Sequence, residues 1–177
     1  MELLTLPRLR FAPAIVAALA APALAQPAPT GAAFIGELFC LALMSGDMEA
    51  VRSALTADLN AAIDSALERN DAIQAENPDE KPPLGDGVPW SGAPDYASEC
   101  TASVGSETTD AAEVAILHGF PEEPEADYTD TLHLVTVEGR YGETLWRIDD
   151  IAFDTGGDLG FPEGSTLRTA LTGAFED

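Results

Sequence analysis

ETLWRIDDIAF, Glu143 to Phe153, opens as an alternating strand and then loses its phase. Trp146 and Ile148 share one face of a two-residue repeat, whereas Ile151 and Phe153 share the other. Asp149 and Asp150 stand where the phase changes. Unbroken alternation would send Asp150 into the core beside Ile148, where an ionised, unpaired carboxylate is far too costly. A bulge or strand end at Asp149-Asp150 turns both side chains outward and returns Ile151 and Phe153 to apolar contacts. The pattern therefore favours a backbone irregularity over a catalytic pair of carboxylates.

The stretch is the second arm of a hairpin, TLHLVTVEGRYGETLWRIDDIAF, with Gly139 and Gly142 bracketing the turn. Turns of three or four residues there both pair even-numbered residues with even-numbered ones. Leu132, Leu134, Trp146 and Ile148 then share the buried face. Claimed by these apolar residues, that face is expected to leave no room for a buried negative group. The opposite face carries His133, Arg147 and Asp149, with His133 across from Arg147 or Asp149. These three are the candidate acid–base cluster.

Upstream, AEVAILHGF reads as a further strand and CTASVGSE as a weaker one; His118, at a strand end, reads as structural or exposed. FPEEPEAD, residues 120–127, is an acidic connection. Before the strands lie helices. One runs from about Ala32 to Met44, with Phe34, Leu38 and Leu41, and with them Phe39 and Leu43, recurring near helical spacing, and stops near Ser45-Gly46. A short second helix follows Asp47 as N-cap. A third opens at Thr56, carries Leu59, Ile63 and Leu67, and ends at Asn77-Pro78. The Pro-rich segment 77–98 is a long loop anchored by Trp90. After the hairpin come a Gly-rich loop and a last helix with Ser165 as N-cap and Leu167, Leu171 and Phe175 as its stripe. The fold class is α+β: N-terminal helices packed against an antiparallel sheet, with a short C-terminal helix.

The N-terminus reads as a targeting signal. Arg8 and Arg10 precede the apolar run FAPAIVAALAAPALA, which ends in Ala23-Leu24-Ala25, the small-residue pattern that signal peptidase accepts. Pro13 and Pro22 interrupt a run already shorter than the roughly 20 residues of a membrane anchor. The expected organisation is a cleavable signal over 1–25, a flexible lead-in over 26–31 and one α+β domain over 32–177. The protein is then exported, periplasmic or extracellular, with no membrane span once the signal is removed.

The formal charge of the chain is −23, and loss of the leader makes it one unit more negative. Nucleic acid and anionic membrane surfaces would be repelled. A basic protein partner, a small-molecule ligand or simple solubility in a salty exterior all fit. Both cysteines, Cys40 and Cys100, fall in the exported part, and in an oxidising compartment they are expected to pair. Closing a loop of about 60 residues stabilises a fold by about 4 kcal/mol in the chain-entropy model.

WRIDDI, followed after a Gly-rich gap by STLRTAL, resembles the C-terminal signature of a family of secreted bacterial proteins with no agreed activity. VPWSGAPDYA resembles that family's loop before its first long strand. The family's fold is similar to that of nuclear transport factor two, so the resemblance implies helices first, then a curved antiparallel sheet wrapping them into a cone. The wider superfamily includes isomerases and dehydratases with a carboxylate or His in the cone, beside many binding and scaffold domains. No catalytic motif carries over residue by residue.

The sequence contains no nucleophile elbow, P-loop or dinucleotide fingerprint, and no cofactor is implied. The scattered His and Cys residues do not make a zinc site. DTGGD offers Asp154 and Asp158 as weak calcium candidates without the spacing of an EF-hand. The leading expectation is an exported, non-catalytic binding or structural domain of the cell envelope. The alternatives are an isomerase- or hydratase-like enzyme using a His/Asp pair in the cone, and an acidic inhibitor of a cationic envelope enzyme.

Overall fold

Alternating apolar residues build the sheet of this protein, and nearly uniform apolarity builds the helix that covers it. The computed structural model describes residues 31–85, 87–93, 97–154 and 161–176. The expected leader, most of the lead-in and Asp158 lie outside the described residues. Helix α1 spans Gly31–Ser45, a 3-10 helix Met48–Ala54, and helix α2 Ala57–Glu76. Strands β1 (Glu99–Glu107), β2 (Ala111–Gly119), β3 (Tyr128–Glu138) and β4 (Thr144–Ala152) follow, and helix α3, Leu167–Gly173, comes last. The strands form a four-stranded antiparallel meander in the order β1-β2-β3-β4. The fold is α+β, with helices against a curved antiparallel sheet and a short C-terminal helix.

The hairpin keeps the even-to-even register: Leu134 faces Ile148, and Thr136 faces Trp146. The register then slips. Leu132 faces Ile151 and His133 faces Asp150, so Asp149 is the extra residue of a bulge. Ile148 and Ile151 are consequently both fully buried. The phase change expected at the aspartates is thus a bulge, and it gives His133 a different partner strand position from either one anticipated.

Sheet and helices meet over a core containing Phe39, Val51, Leu59, Ile63, Val114, Ile116, Leu132, Leu134 and Leu167. On α1 the expected stripe is corrected in part, for Phe39 is buried and Leu38 and Leu43 pack against the core. Phe34 and Leu41 are exposed, whereas Ala32, Ile35, Gly36, Phe39 and Cys40 face the sheet. The reason is close approach: a Cβ on Gly36 would stand 2.7 Å from Val114 Cγ1 and 2.8 Å from the Ala102 Cβ. Small residues at Ala32 and Gly36 let the helix backbone down onto β1 and β2 between the buried side chains of Ile35 and Phe39, and Phe34 and Leu41 are left outside. Cys40 and Cys100 form a disulfide across this contact, with Cα atoms 5.4 Å apart.

The helix ends follow local chemistry. Gly46 (φ +71°) ends α1, where the Asp47 N–H donates to the Ala42 carbonyl. The next turn is 3-10 rather than α, and Asp47 makes no side-chain capping bond to it. Thr56 caps α2 by accepting from the Leu59 N–H at 3.2 Å. In α2 the buried row is Leu59, Ile63, Ala66 and Asn70, whose Oδ1 accepts the Leu84 N–H at 2.8 Å and so ties down the Pro-rich loop. Trp90 in that loop packs half-buried on the core. The cap of α3 is Thr166, one residue later than expected, in a reciprocal box with Thr169.

The two edges of the sheet differ. Beside β4, Leu55 bridges Ile148 and Thr166 bridges Ala152. The Thr56 N–H also donates to the Ile148 carbonyl at 2.9 Å. At β1, among the described residues, no chain segment pairs with the outer side.

Candidate functional site

β3 begins YTDTLHL, and its even-numbered residues face inward. That parity places Asp130 in the same row as Leu132 and Leu134, and it is 0% exposed. The expectation of an inner face without a negative group is therefore corrected. Asp130 is tolerated because its charge is surrounded by donors. Its Oδ1 accepts the Asp154 N–H at 2.8 Å, and its Oδ2 accepts the Gly92 N–H at 3.0 Å. His118 of β2, 1% exposed, brings Nε2 to 3.0 Å from the same Oδ2. The ring nitrogen is poorly aligned with that oxygen, so the two groups are in close contact without a directional hydrogen bond.

Aromatic stacking closes one side of the pair. The rings of His118 and Tyr128 lie 4.3 Å apart and nearly parallel, with Phe120 6.3 Å beyond Tyr128. Backbone closes another: a Cβ on Gly92 would stand 2.9 Å from Asp130 Oδ1 and 2.9 Å from the Asp154 carbonyl oxygen. One carboxylate thereby joins the end of β2, the loop at Gly92 and the chain leaving β4. A shallow hollow of about 160 Å³ lies nearby, lined by Ser98, Phe120, Pro121, Glu122 and Glu123. A second of about 360 Å³ lies on α3, lined by Arg168, Thr169, Thr172, Gly173 and Glu176. His118 and Asp130 line neither hollow.

The cluster expected on the other face is dispersed. His133, partly exposed, has its Nδ1 3.8 Å from Glu113 Oε1, its cross-strand neighbour on β2. Arg147 faces Val135 and donates from Nη1 to the Trp146 carbonyl. Asp149 turns toward the helices. Its Oδ1 accepts from Thr56 Oγ1 at 3.0 Å and from Arg168 Nη2 at 2.9 Å, while Arg168 Nε donates to the Asp149 carbonyl at 2.9 Å. Asp150 Oδ1 accepts the N–H of Ile151 at 2.9 Å and that of Arg168 at 3.1 Å. Asp149 therefore ties the N-cap of α2 to the Arg168 side chain, and Asp150 accepts a free N–H in the first turn of α3.

Asp154 spends one carboxylate oxygen on the Thr129 N–H, at 3.0 Å. Among the described residues no group of three or more His, Cys, Asp or Glu side chains could hold a metal ion. No helix among them is long and apolar enough to cross a membrane. Sequence reasoning missed Asp130, Glu113 and Arg168. The signal for Asp130 was present: the hairpin parity, carried two residues upstream of Leu132, reaches it.

Comparison with protein-family models, with curated proteins and with solved structures found no match.

Proposed function

We propose that this chain is an exported, non-catalytic binding domain of the cell envelope that works through its surface. The observation that carries this reading is the burial of the His118–Asp130 pair. General acid–base work needs a titrating group within hydrogen-bond reach of a substrate. Here the imidazole and carboxylate are 1% and 0% exposed, and both carboxylate oxygens already hold backbone N–H groups. The more open His133 stands in solvent beside Glu113, without the water-poor surroundings that tune a catalytic base. Export is supported by the charged and apolar leader pattern and by the Cys40–Cys100 disulfide. The order of helices, meander and terminal helix supports kinship with the nuclear-transport-factor-two-like proteins.

The enzyme reading retains one observation in its favour, a His beside a buried carboxylate, at His118–Asp130 rather than His133–Asp149. Reaction of the intact protein with diethyl pyrocarbonate separates the two accounts. A sealed pair leaves His118 unmodified while His133 reacts. Modification of His118 at a rate like that of His133 would show that small molecules reach the pair, and the isomerase- or hydratase-like reading would replace ours.

A further inference from the structure

The geometry points to the open edge of β1, beside α1, as a strand-addition site for an extended segment of a partner protein in which apolar residues alternate with Lys or Arg. Among the described residues the β4 edge is covered by Leu55, Thr56 and Thr166, whereas β1 presents an unpaired row of backbone donors and acceptors. Sheet proteins usually blunt such an edge with Lys, Pro or a bulge. Glu99–Val104 has no Lys or Pro and pairs regularly with β2, the register slipping only beyond Val104. It is a template of strand length, and main-chain pairing there would supply affinity while neighbouring side chains select sequence.

Those neighbours are apolar and acidic. The large apolar side chains standing exposed among the described residues are Phe34, Leu41 and Met44 on α1, Val104 on β1, Leu117 on β2, and Tyr141 in the hairpin turn. Of these, Val104 lies on β1 itself, on the face that α1 covers, and Leu117 lies across from Thr101 on the other face of the sheet. The disulfide fixes α1 over β1, and helix spacing puts Glu37 and Met44 on the same side of α1 as the bridged Cys40. The strand edge is thereby held in place beside the helix, which lowers the ordering cost of binding. Charge selects the occupant. Residues 31–51 and 82–139 contain no Lys or Arg, while Glu37 on α1 and Glu99 and Glu107 on β1 are exposed. A second copy would bring like charges together, whereas a cationic strand complements them.

This site deepens the binding reading and rests on it. The probe is a fluorescein-labelled decapeptide of alternating Lys and Val, with a Glu/Val decapeptide as comparator, read by fluorescence anisotropy. Successive strand residues direct their N–H groups to opposite sides. Of Thr101→Pro and Ala102→Pro, therefore, the variant that keeps its folded melting transition is the one that blocks the outer edge. The Lys/Val peptide should bind the wild-type chain and weaken at least tenfold on that variant, and the Glu/Val peptide should not bind. Equal affinity for wild type and the folded proline variant would overturn the proposal, as would absence of binding or a β1-mediated dimer in sedimentation. Absence of peptide binding with His118 still protected would remove this edge site alone and leave the non-catalytic reading in place.

Discussion

Asp130 and the Asp149-Asp150 bulge lie on adjacent strands and have opposite surroundings. Asp130 is sealed on the inner face among two backbone N–H groups and His118. Asp149 and Asp150 sit half-exposed at the sheet edge, holding α2 and α3 through Thr56 and Arg168. Each set ties loop or helix backbone to the sheet. The difference lies in what replaces a lost bond: water reaches the bulge at once, but not the interior. A carboxylate without solvent must be held on all sides, so Asp130 should be the less dispensable.

Three measurements would break or sharpen this contrast, read as urea unfolding free energies. Asp130→Ala should have the largest effect, about 3–5 kcal/mol, because it strands His118, the buried Gly92 N–H and the partly buried Asp154 N–H. A loss below about 1 kcal/mol would mean the site is wet. Gly92→Ala should cost about 1–3 kcal/mol, since the added methyl meets the Asp130 carboxylate and the Asp154 backbone and neither can retreat freely. At the bulge, a double-mutant cycle on Asp149→Ala and Arg168→Ala should return a coupling of about 0.2–1 kcal/mol, because their side chains remain 43% and 33% exposed. A coupling as large as the Asp130 effect would erase the distinction.

How much of this was legible depended on contrast in the pattern. The bulge could be read because Trp146, Ile148, Ile151 and Phe153 cannot share one face of a regular strand. Thr56 announced α2 through its own capping hydroxyl. By contrast, α1 is apolar around most of its circumference, so periodicity could not tell which side met the sheet. Large residues look like the core stripe, yet Gly36 and Ala32 occupy the contact because the backbone comes so close there. The inward position of Asp130 follows from the hairpin parity, but the satisfaction of its carboxylate was hidden. Its donors come from residues 92 and 154, and its His partner from β2, so nothing adjacent in sequence signals that the charge is satisfied. The dispersal of His133, Arg147 and Asp149 has two causes: the turn sets Arg147 across from Val135, and the bulge rotates Asp149 toward Arg168, away from the face on which alternation had placed it.

Native-state hydrogen exchange at the Gly92 and Asp154 amides tests the central claim most directly, since both donate to Asp130. If the carboxylate is a sealed structural tie, these two protons should exchange together and only with global unfolding, although Gly92 lies in a loop and Asp154 beyond the end of a strand. Exchange at the rate of the exposed hairpin turn around Gly142, in protein that remains folded, would show that water enters the pair and would contradict the account.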